Sequence, residues 1–171
     1  DVANNAGNSD LINSTEGVVY GEIKSFIELP DSKKVISISD GTANHNVARI
    51  QFHSASNTIR GQVRANNSLT ASLSKIVSTT LEYHKVAFKY KENDFALWVD
   101  GEQVFTDTNG AVPNANSLNI LSFSDGNNTN KFNEGAIKMV AIFKEALSDT
   151  ELAKLTGYNN HELYMNYYNR L

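Results

Sequence analysis

The chain has 171 residues, with 15 basic and 19 acidic side chains, four His and no Cys. This length suits a single domain, and the hydrophobic fraction of 40% is sufficient for a core. The absence of Cys excludes disulfides, thiolate catalysis and Cys-based zinc sites. The net charge of −4 argues against general nucleic-acid binding, which requires a basic surface. The sequence contains no apolar run of the about 18 residues that predict a membrane span.

The first 16 residues are mostly small and polar and predict a flexible lead-in. From residue 17 onward, apolar and polar side chains alternate with the period of a half-buried β-strand. The pattern predicts about ten short strands, with no helix between neighbours, and this is typical of an antiparallel sandwich or barrel. The Asp100-Gly101 dipeptide predicts a tight hairpin turn. The alternating segments are residues 17–25, 35–40, 47–53, 58–64, 84–90, 95–99, 102–105, 118–123 and 136–143.

Helix signals occur only near the carboxyl end of the chain. Ser148 and Glu151 form the pattern of a capping box, and Leu147 and Leu152 have the spacing of a hydrophobic staple. This helix is expected to end near Gly157. A second short amphipathic helix is expected at residues 160–171. The fold class predicted is therefore all-β, a two-sheet antiparallel β-sandwich with one or two short C-terminal helices.

Three segments resemble those of a known superfamily. Residues 82–104, EYHKVAFKYKENDFALWVDGEQV, resemble the WHHVAVTYDG…LYVDG hairpin of laminin G-like, pentraxin-like and concanavalin A-like jelly rolls. Residues 135–155, GAIKMVAIFKEALSDTELAKL, resemble the closing strand and terminal helix of that family. Residues 35–52 resemble its earlier Asp-Gly hairpin. The versions most similar in character occur in phage tail-fibre and other virion proteins and in secreted bacterial glycan-binding proteins.

The resemblance implies a jelly-roll domain over residues 17–157, between the lead-in of residues 1–16 and an amphipathic helical tail of residues 158–171. It also implies a non-catalytic module that binds a carbohydrate or a cell-surface receptor, located outside the cell or on a virion surface. The alternative is a virion structural or decoration module, in which the sandwich is a spacer. A fold of this kind hosts several functions, so the ligand must be argued from the residues.

Catalysis is the less favoured interpretation. The glucanases of this superfamily carry ExDxE on one strand, which holds two carboxylates about 5–5.5 Å apart for retaining hydrolysis. The sequence contains no such triplet. Gln51-Phe52-His53 is similar to the QIH motif of alginate lyases, but the accompanying Arg-Glu-Arg strand is missing, because Gln62 stands between Arg60 and Arg64 where the acid would be.

The alternation also predicts which side chains face outward. If the apolar residues of the central strands face the core, a row of long polar side chains and one Trp faces solvent. We expect these residues to form a platform for an acidic sugar if their strands share a sheet, because Trp stacks on a pyranose ring and Arg binds a carboxylate or sulfate with two hydrogen bonds. The alternative is an ordinary polar sheet face, with Trp98 at its edge. The candidate residues are Arg49, Gln51, His53, Arg60, Gln62, Arg64, Lys89 and Trp98.

Two loop clusters carry the oxygen ligands that Ca²⁺ prefers. Asp40 lies near Asn44, and Asp125 lies near Asn127. The same residue types are common in turns, so ordinary turn chemistry is the alternative interpretation. No other cofactor is indicated.

The tail contains a stripe of aromatic and aliphatic residues, Tyr164, Tyr167, Tyr168 and Leu171. Such a stripe packs on its own domain or forms the contact of a homo-oligomer or larger viral assembly.

Overall fold

The computed structural model describes residues 10–27, 34–42, 44–53, 57–125 and 135–157. These residues form two five-stranded antiparallel sheets and one α-helix, so the predicted all-β sandwich is confirmed. Sheet A has the strand order β5-β4-β3-β2-β9, and sheet B has the order β10-β1-β6-β7-β8. The elements are β1 (Glu16–Ser25), β2 (Lys34–Ser39), β3 (Val47–His53), β4 (Thr58–Ala65), β5 (Ser68–Ile76), β6 (His84–Lys91), β7 (Phe95–Val99), β8 (Glu102–Asp107), β9 (Ile120–Ser122), β10 (Gly135–Phe143) and α1 (Asp149–Thr156).

The main core lies between the inner faces of the two sheets. Every second residue of β3 and β4 points into it, as the alternation predicts, and Phe52 and Phe88 are at most 1% exposed. At Gly61 the backbone of β4 passes so close to Phe88 that a Cβ atom would lie 2.3 Å from the ring atom Cδ2. The close fit of the two sheets therefore depends on the missing side chain at this position.

A second apolar cluster covers the outer face of sheet B. It contains Tyr20, Trp98 and Phe143 from the sheet, and Leu152 and Leu155 from α1. The helix begins at the predicted capping box, where Ser148 and Glu151 exchange hydrogen bonds, and ends at Gly157. Sheet B is therefore apolar on both faces over this region, whereas sheet A is apolar only on its inner face.

Two details differ from the sequence-based prediction. Strand β5 was not predicted, since its outward positions are Ser and its buried inward positions are only two, Ala71 and Leu73. Residues 10–15 are not a flexible lead-in, because Ile12 is 2% exposed in the main core and the Ser14 hydroxyl accepts a hydrogen bond from the Leu118 amide.

Residues 1–9 and the predicted tail of residues 158–171 lie outside the described part of the chain. Within the described ranges, no helical segment has the length and apolar character needed to cross a bilayer.

Candidate ligand-binding face

The polar outer face of sheet A is the candidate site, and we call it the arginine face after Arg49, Arg60 and Arg64. Arg60 and Arg64 lie on β4, the second strand from the β5 edge of the sheet, and Arg49 lies on β3, the third. All three side chains point away from the core. The strand register places Arg49 beside Gln62, and Gln51 beside Arg60. The sequence-predicted members on this face are Arg49, Gln51, His53, Arg60, Gln62 and Arg64.

Arg49 lies at the centre of this face and is held in place from one side. Its Nε and Nη2 atoms both donate to the Gln62 Oε1 atom, at 3.1 and 2.8 Å. The Gln62 Nε2 atom in turn donates to the Ser72 hydroxyl at 3.3 Å. Since Arg49 is only 7% exposed and Gln62 only 6% exposed, this chain fixes the guanidinium in one orientation. Its remaining nitrogen, Nη1, has no hydrogen-bond partner within the described residues.

The electrostatics of Arg49 are those of a cation without a paired anion. Burial lowers the pKa of Arg49 to about 10; the negative charge of Asp125 opposes this change, and the positive charges of Arg64 and Arg60 add to it. In the described part of the chain, no carboxylate forms an ion pair with any of the three guanidinium groups. A bound anion would replace the lost hydration and reduce the mutual repulsion.

The other two arginines differ in how much of each guanidinium group is available. Arg60 donates through Nε to the Ser74 hydroxyl at 3.1 Å, and its two terminal nitrogens donate to no described residue. Burial lowers its pKa. Arg64 donates to the backbone oxygens of Asn44 and Asn67, at 3.0 and 2.9 Å, and so ties two turns together. Arg49 and Arg60 are therefore the better placed pair for a ligand, and Arg64 has a largely structural role.

A buried row of hydroxyl groups continues the face toward β9. Ser37 of β2 is the neighbour of Arg49 in the register, and its hydroxyl lies 2.9 Å from the Ser122 hydroxyl. These serines and those of β5 were not among the sequence-predicted site residues. The alternation of β2 does place Ser37 opposite the apolar residues of that strand, so the signal was present; for β5, the alternating Ala71 and Leu73 would have been the signal.

Trp98 and Lys89 do not belong to this face, and this corrects the sequence-based platform. Both lie on sheet B, on its outer side, because β6 and β7 do not share a sheet with β3 and β4. Trp98 is 7% exposed within the cluster beneath α1, where no sugar ring can stack on it. Lys89 forms an ion pair with Asp94 at 2.7 Å and lies 4.0 Å from Asp149 at the start of α1.

The first predicted calcium cluster has the hydrogen bonding of a turn. The Asp40 carboxylate accepts hydrogen bonds from the Thr42 amide, the Asn46 side chain and the His45 ring, the last at 2.5 Å. Burial works against ionisation, but these hydrogen bonds prevail and lower the pKa of Asp40. Asn44 has a left-handed backbone with φ of 58°, which is typical of Asn in turns. Both residues thus already have a role without a metal ion.

The second predicted calcium cluster is only partly described. Asp125 is 7% exposed, and its buried Oδ1 atom has no hydrogen-bond partner among the described residues. Asn127 lies outside the described residues. No group of three or more His, Cys, Asp and Glu side chains that could hold a metal ion occurs among the described residues. Calcium binding at Asp125 therefore stays a prediction.

His84, which the resemblance places before the strand of residues 86–88, has a structural role. Its Nδ1 atom lies 2.6 Å from the Asp100 carboxylate and its Nε2 atom lies 2.7 Å from the Thr79 backbone oxygen. Both partners accept hydrogen bonds, so the doubly protonated ring fits the site. Burial opposes this charge, but the two hydrogen bonds prevail and raise the pKa of His84.

Comparison with solved structures supports the fold. The chain is similar to the carbohydrate-binding module CBM40 of the Ruminococcus gnavus IT-sialidase bound to α2,3-sialyllactose, with a TM-score of 0.67, 17% identity, and coverage of 84% of this chain and 83% of that one. It is similar to an SAP-like pentraxin of Limulus polyphemus, with a TM-score of 0.58, 15% identity, and coverage of 87% and 74%. A third similar structure is the NanB sialidase of Streptococcus pneumoniae, with a TM-score of 0.65, 17% identity, and coverage of 85% of this chain but 24% of the sialidase.

No curated protein sequence matches the chain. A family model does match, over residues 26–153, and it describes the concanavalin A-like lectin/glucanase superfamily. This match covers most of both sheets and reaches into α1. The chain belongs to the concanavalin A-like lectin/glucanase superfamily.

Proposed function

We propose that the protein is a non-catalytic carbohydrate-binding module that binds an acidic glycan on the arginine face. The observation that carries this proposal is the buried, oriented and unpaired guanidinium of Arg49, with the partly free guanidinium of Arg60 nearby on the next strand. In a chain with a net charge of −4, a concentration of three Arg on one sheet face is a selective feature. A carboxylate or sulfate accepts two hydrogen bonds from one guanidinium group, which gives both affinity and orientation.

The similar structures make a carboxylated sugar the first ligand to test. The CBM40 structure contains sialyllactose, a glycan whose terminal sugar carries a carboxylate. Low identity means that only the fold is shared, so the ligand must be tested rather than transferred. The described part of β3 and β4 presents no carboxylate on this face, and this favours binding over acid–base hydrolysis of a glycosidic bond.

The setting of this module is part of the same proposal. Acidic glycans of this kind lie on cell surfaces, so we place the protein outside the cell or on a virion surface. The alternative, a spacer in a virion, predicts no glycan binding and an assembly that depends on Tyr164, Tyr167, Tyr168 and Leu171. A titration with acidic glycans, described next, distinguishes the two functions.

A site-resolved titration tests the proposal. We expect 3′-sialyllactose to shift the backbone amide signals of residues 47–53 and 58–64 in two-dimensional NMR spectra, and lactose, which lacks the carboxylate, to leave those signals unchanged. Added NaCl should weaken the response, because ionic contacts at a partly exposed site are screened. The titration is repeated with an alginate oligosaccharide and with a heparin oligosaccharide. If none of these three acidic glycans perturbs the signals, the arginine face is not an acidic-glycan site.

A further inference from the structure

A cleft lies at one end of the sandwich, beside the β4–β5 turn. It is bounded by the β4–β5 turn, the β6–β7 turn and residues 111–115 of the connection between β8 and β9. Its volume of about 540 Å³ lies within the range of small-ligand sites, roughly 300–1,000 Å³. None of the three arginines lines it.

The walls of this end cleft are held in place by hydrogen bonds between separate loops. The Asn93 amide donates to the Gly110 carbonyl at 3.0 Å, and the Gly110 amide donates to the Asn93 side chain at 3.1 Å. A Cβ atom on Gly110 would lie 2.6 Å from the Thr70 backbone oxygen, so this connection is seated directly on β5. On the opposite wall, the backbone amide of Asn66 donates to the side-chain oxygen of Asn46 at 2.9 Å. A ligand would therefore meet a preformed site, which reduces the entropy cost of binding.

The polar side chains of the cleft have unused hydrogen-bonding capacity. In the described part of the chain, the Glu92 carboxylate forms no ion pair or hydrogen bond, and the Asn66 and Ser68 side chains have no partner. Among the described lining residues, Glu92 is the only charged one. The rest of the described wall consists of small apolar residues, including Val112 and Pro113, and of the polar residues Thr15, Thr70 and Asn114. The described lining thus combines one carboxylate, two side-chain amides and three hydroxyl groups with an aliphatic surface.

We infer that this end cleft is a second saccharide site, for a neutral sugar. A carboxylate accepts hydrogen bonds from sugar hydroxyl groups, and the side-chain amide of Asn66 can both donate and accept them. The aliphatic wall suits the C–H groups of a pyranose ring. An acidic sugar is disfavoured, because Glu92 would repel its carboxylate and the described lining contains no cation. The site goes beyond the proposed function, since Arg49, Arg60 and Gln62 are not among the residues that line it.

NMR titration of the full chain with lactose and with cellotriose tests this inference. We expect at least one of these sugars, at millimolar concentration, to shift the amide signals of residues 65–68, 92–93 and 111–115. Glu92→Gln should weaken that response about tenfold, the loss expected for hydrogen bonds to a charged group. Glu82→Gln is the matched control, since it removes the same charge from an exposed position in the connection between β5 and β6. Ala115→Trp, at an exposed wall position, should block the cleft without placing a charge in the core.

The outcomes separate this inference from the proposed function. Arg49→Met should leave the response of the end cleft to neutral sugars unchanged, whatever its effect on acidic glycans. No shift at the cleft with either neutral sugar, or an equal response in the Glu92→Gln and wild-type proteins, would overturn the inference. A response to glucosamine with none to glucose would also overturn it, because it would identify a site for a cation rather than for a neutral sugar.

Discussion

Gly61→Ala probes the contact on which the packing of the two sheets depends. A Cβ atom at position 61 would lie 2.3, 2.5 and 2.9 Å from the Phe88 atoms Cδ2, Cγ and Cε2. Phe88 is fully buried, so its ring cannot swing into solvent to make room. The added methyl group must therefore separate β4 from β6 or force the ring out of its preferred rotamer.

The expected cost follows from these distances. Overpacking typically costs about 1–3 kcal/mol, and three contacts this short place Gly61→Ala in the upper half of that range. The lower entropy of the unfolded chain offsets about 0.4–1 kcal/mol. The net loss of about 1–2.5 kcal/mol corresponds to a decrease in Tm of roughly 2–10 °C for a domain of this size.

Differential scanning calorimetry of a double-mutant cycle measures this effect. Phe88→Leu alone should destabilise the protein by leaving a cavity, whereas in the Gly61→Ala background it should cost less, because the smaller side chain accommodates the methyl group. The coupling free energy should fall in the range of about 0.5–3 kcal/mol found for residues in contact. A Gly61→Ala protein that melts at or above the wild-type temperature, or costs that are strictly additive, would refute this packing.

Two further predictions concern His84 and Trp98. The folded-state pKa of His84 is raised above 6.5, so the bond between His84 and Asp100 stabilises the folded protein fully below pH 6.5, and this stabilisation is lost as the pH rises through the folded-state pKa. The pKa of Asp100 is lowered below 3.8, although burial alone would raise it. The stabilisation from the Asp100 carboxylate is therefore lost only as the pH falls through that lower pKa. We expect Tm to decrease above pH 6.5 in the wild-type protein and this decrease to be smaller in His84→Gln; parallel curves would contradict the assignment. Trp98→Ala should lower the free energy of unfolding by about 3–5 kcal/mol, as for other buried Trp residues, while the folded protein binds glycan normally. Loss of glycan binding by the folded variant would place Trp98 back in the site.

The inner faces of the sandwich could be predicted from the sequence because a strand places alternate residues on opposite sides. Phe52 and Val63 lie in the core as their spacing indicates, and Arg49 and Gln62 point outward for the same reason. The capping box at Ser148 was equally local and equally predictable. Strand β5 was missed because only Ala71 and Leu73 mark its inner side, and the Ser and Thr residues between and before them favour turns as readily as strands.

The membership of the site could not be predicted in full, because alternation shows the side of a strand and not the sheet that the strand joins. Trp98 and Arg49 both point away from the core, but they do so on opposite faces of the sandwich. The apolar outward residues Val18 and Tyr20 of β1 were the available signal that a further layer covers sheet B. The contact of that layer with α1 joins residues far apart in the sequence, so no local pattern encodes it.

Asn is the second feature whose meaning required the structure. The chain contains 22 Asn, a residue type that is common in turns. Six of the seven described non-glycine residues with positive φ are Asn, and several of them form the tight turns at the ends of strands. Asn tolerates this left-handed backbone better than other residues with side chains, so these six Asn residues are explained by the turns that they form.

The affinity of Arg49→Met for 3′-sialyllactose, measured by isothermal titration calorimetry, tests the central claim most directly. Arg49 supplies an oriented and unpaired cation, so its loss should reduce affinity by roughly 10- to 100-fold, the effect of removing hydrogen bonds to a charged group. Tm should change little, because the substitution also removes a buried charge. Lys154→Met, which removes an exposed positive charge on α1, should bind as the wild-type protein does. Equal affinity of the wild-type and Arg49→Met proteins for this glycan would contradict the assignment of the arginine face.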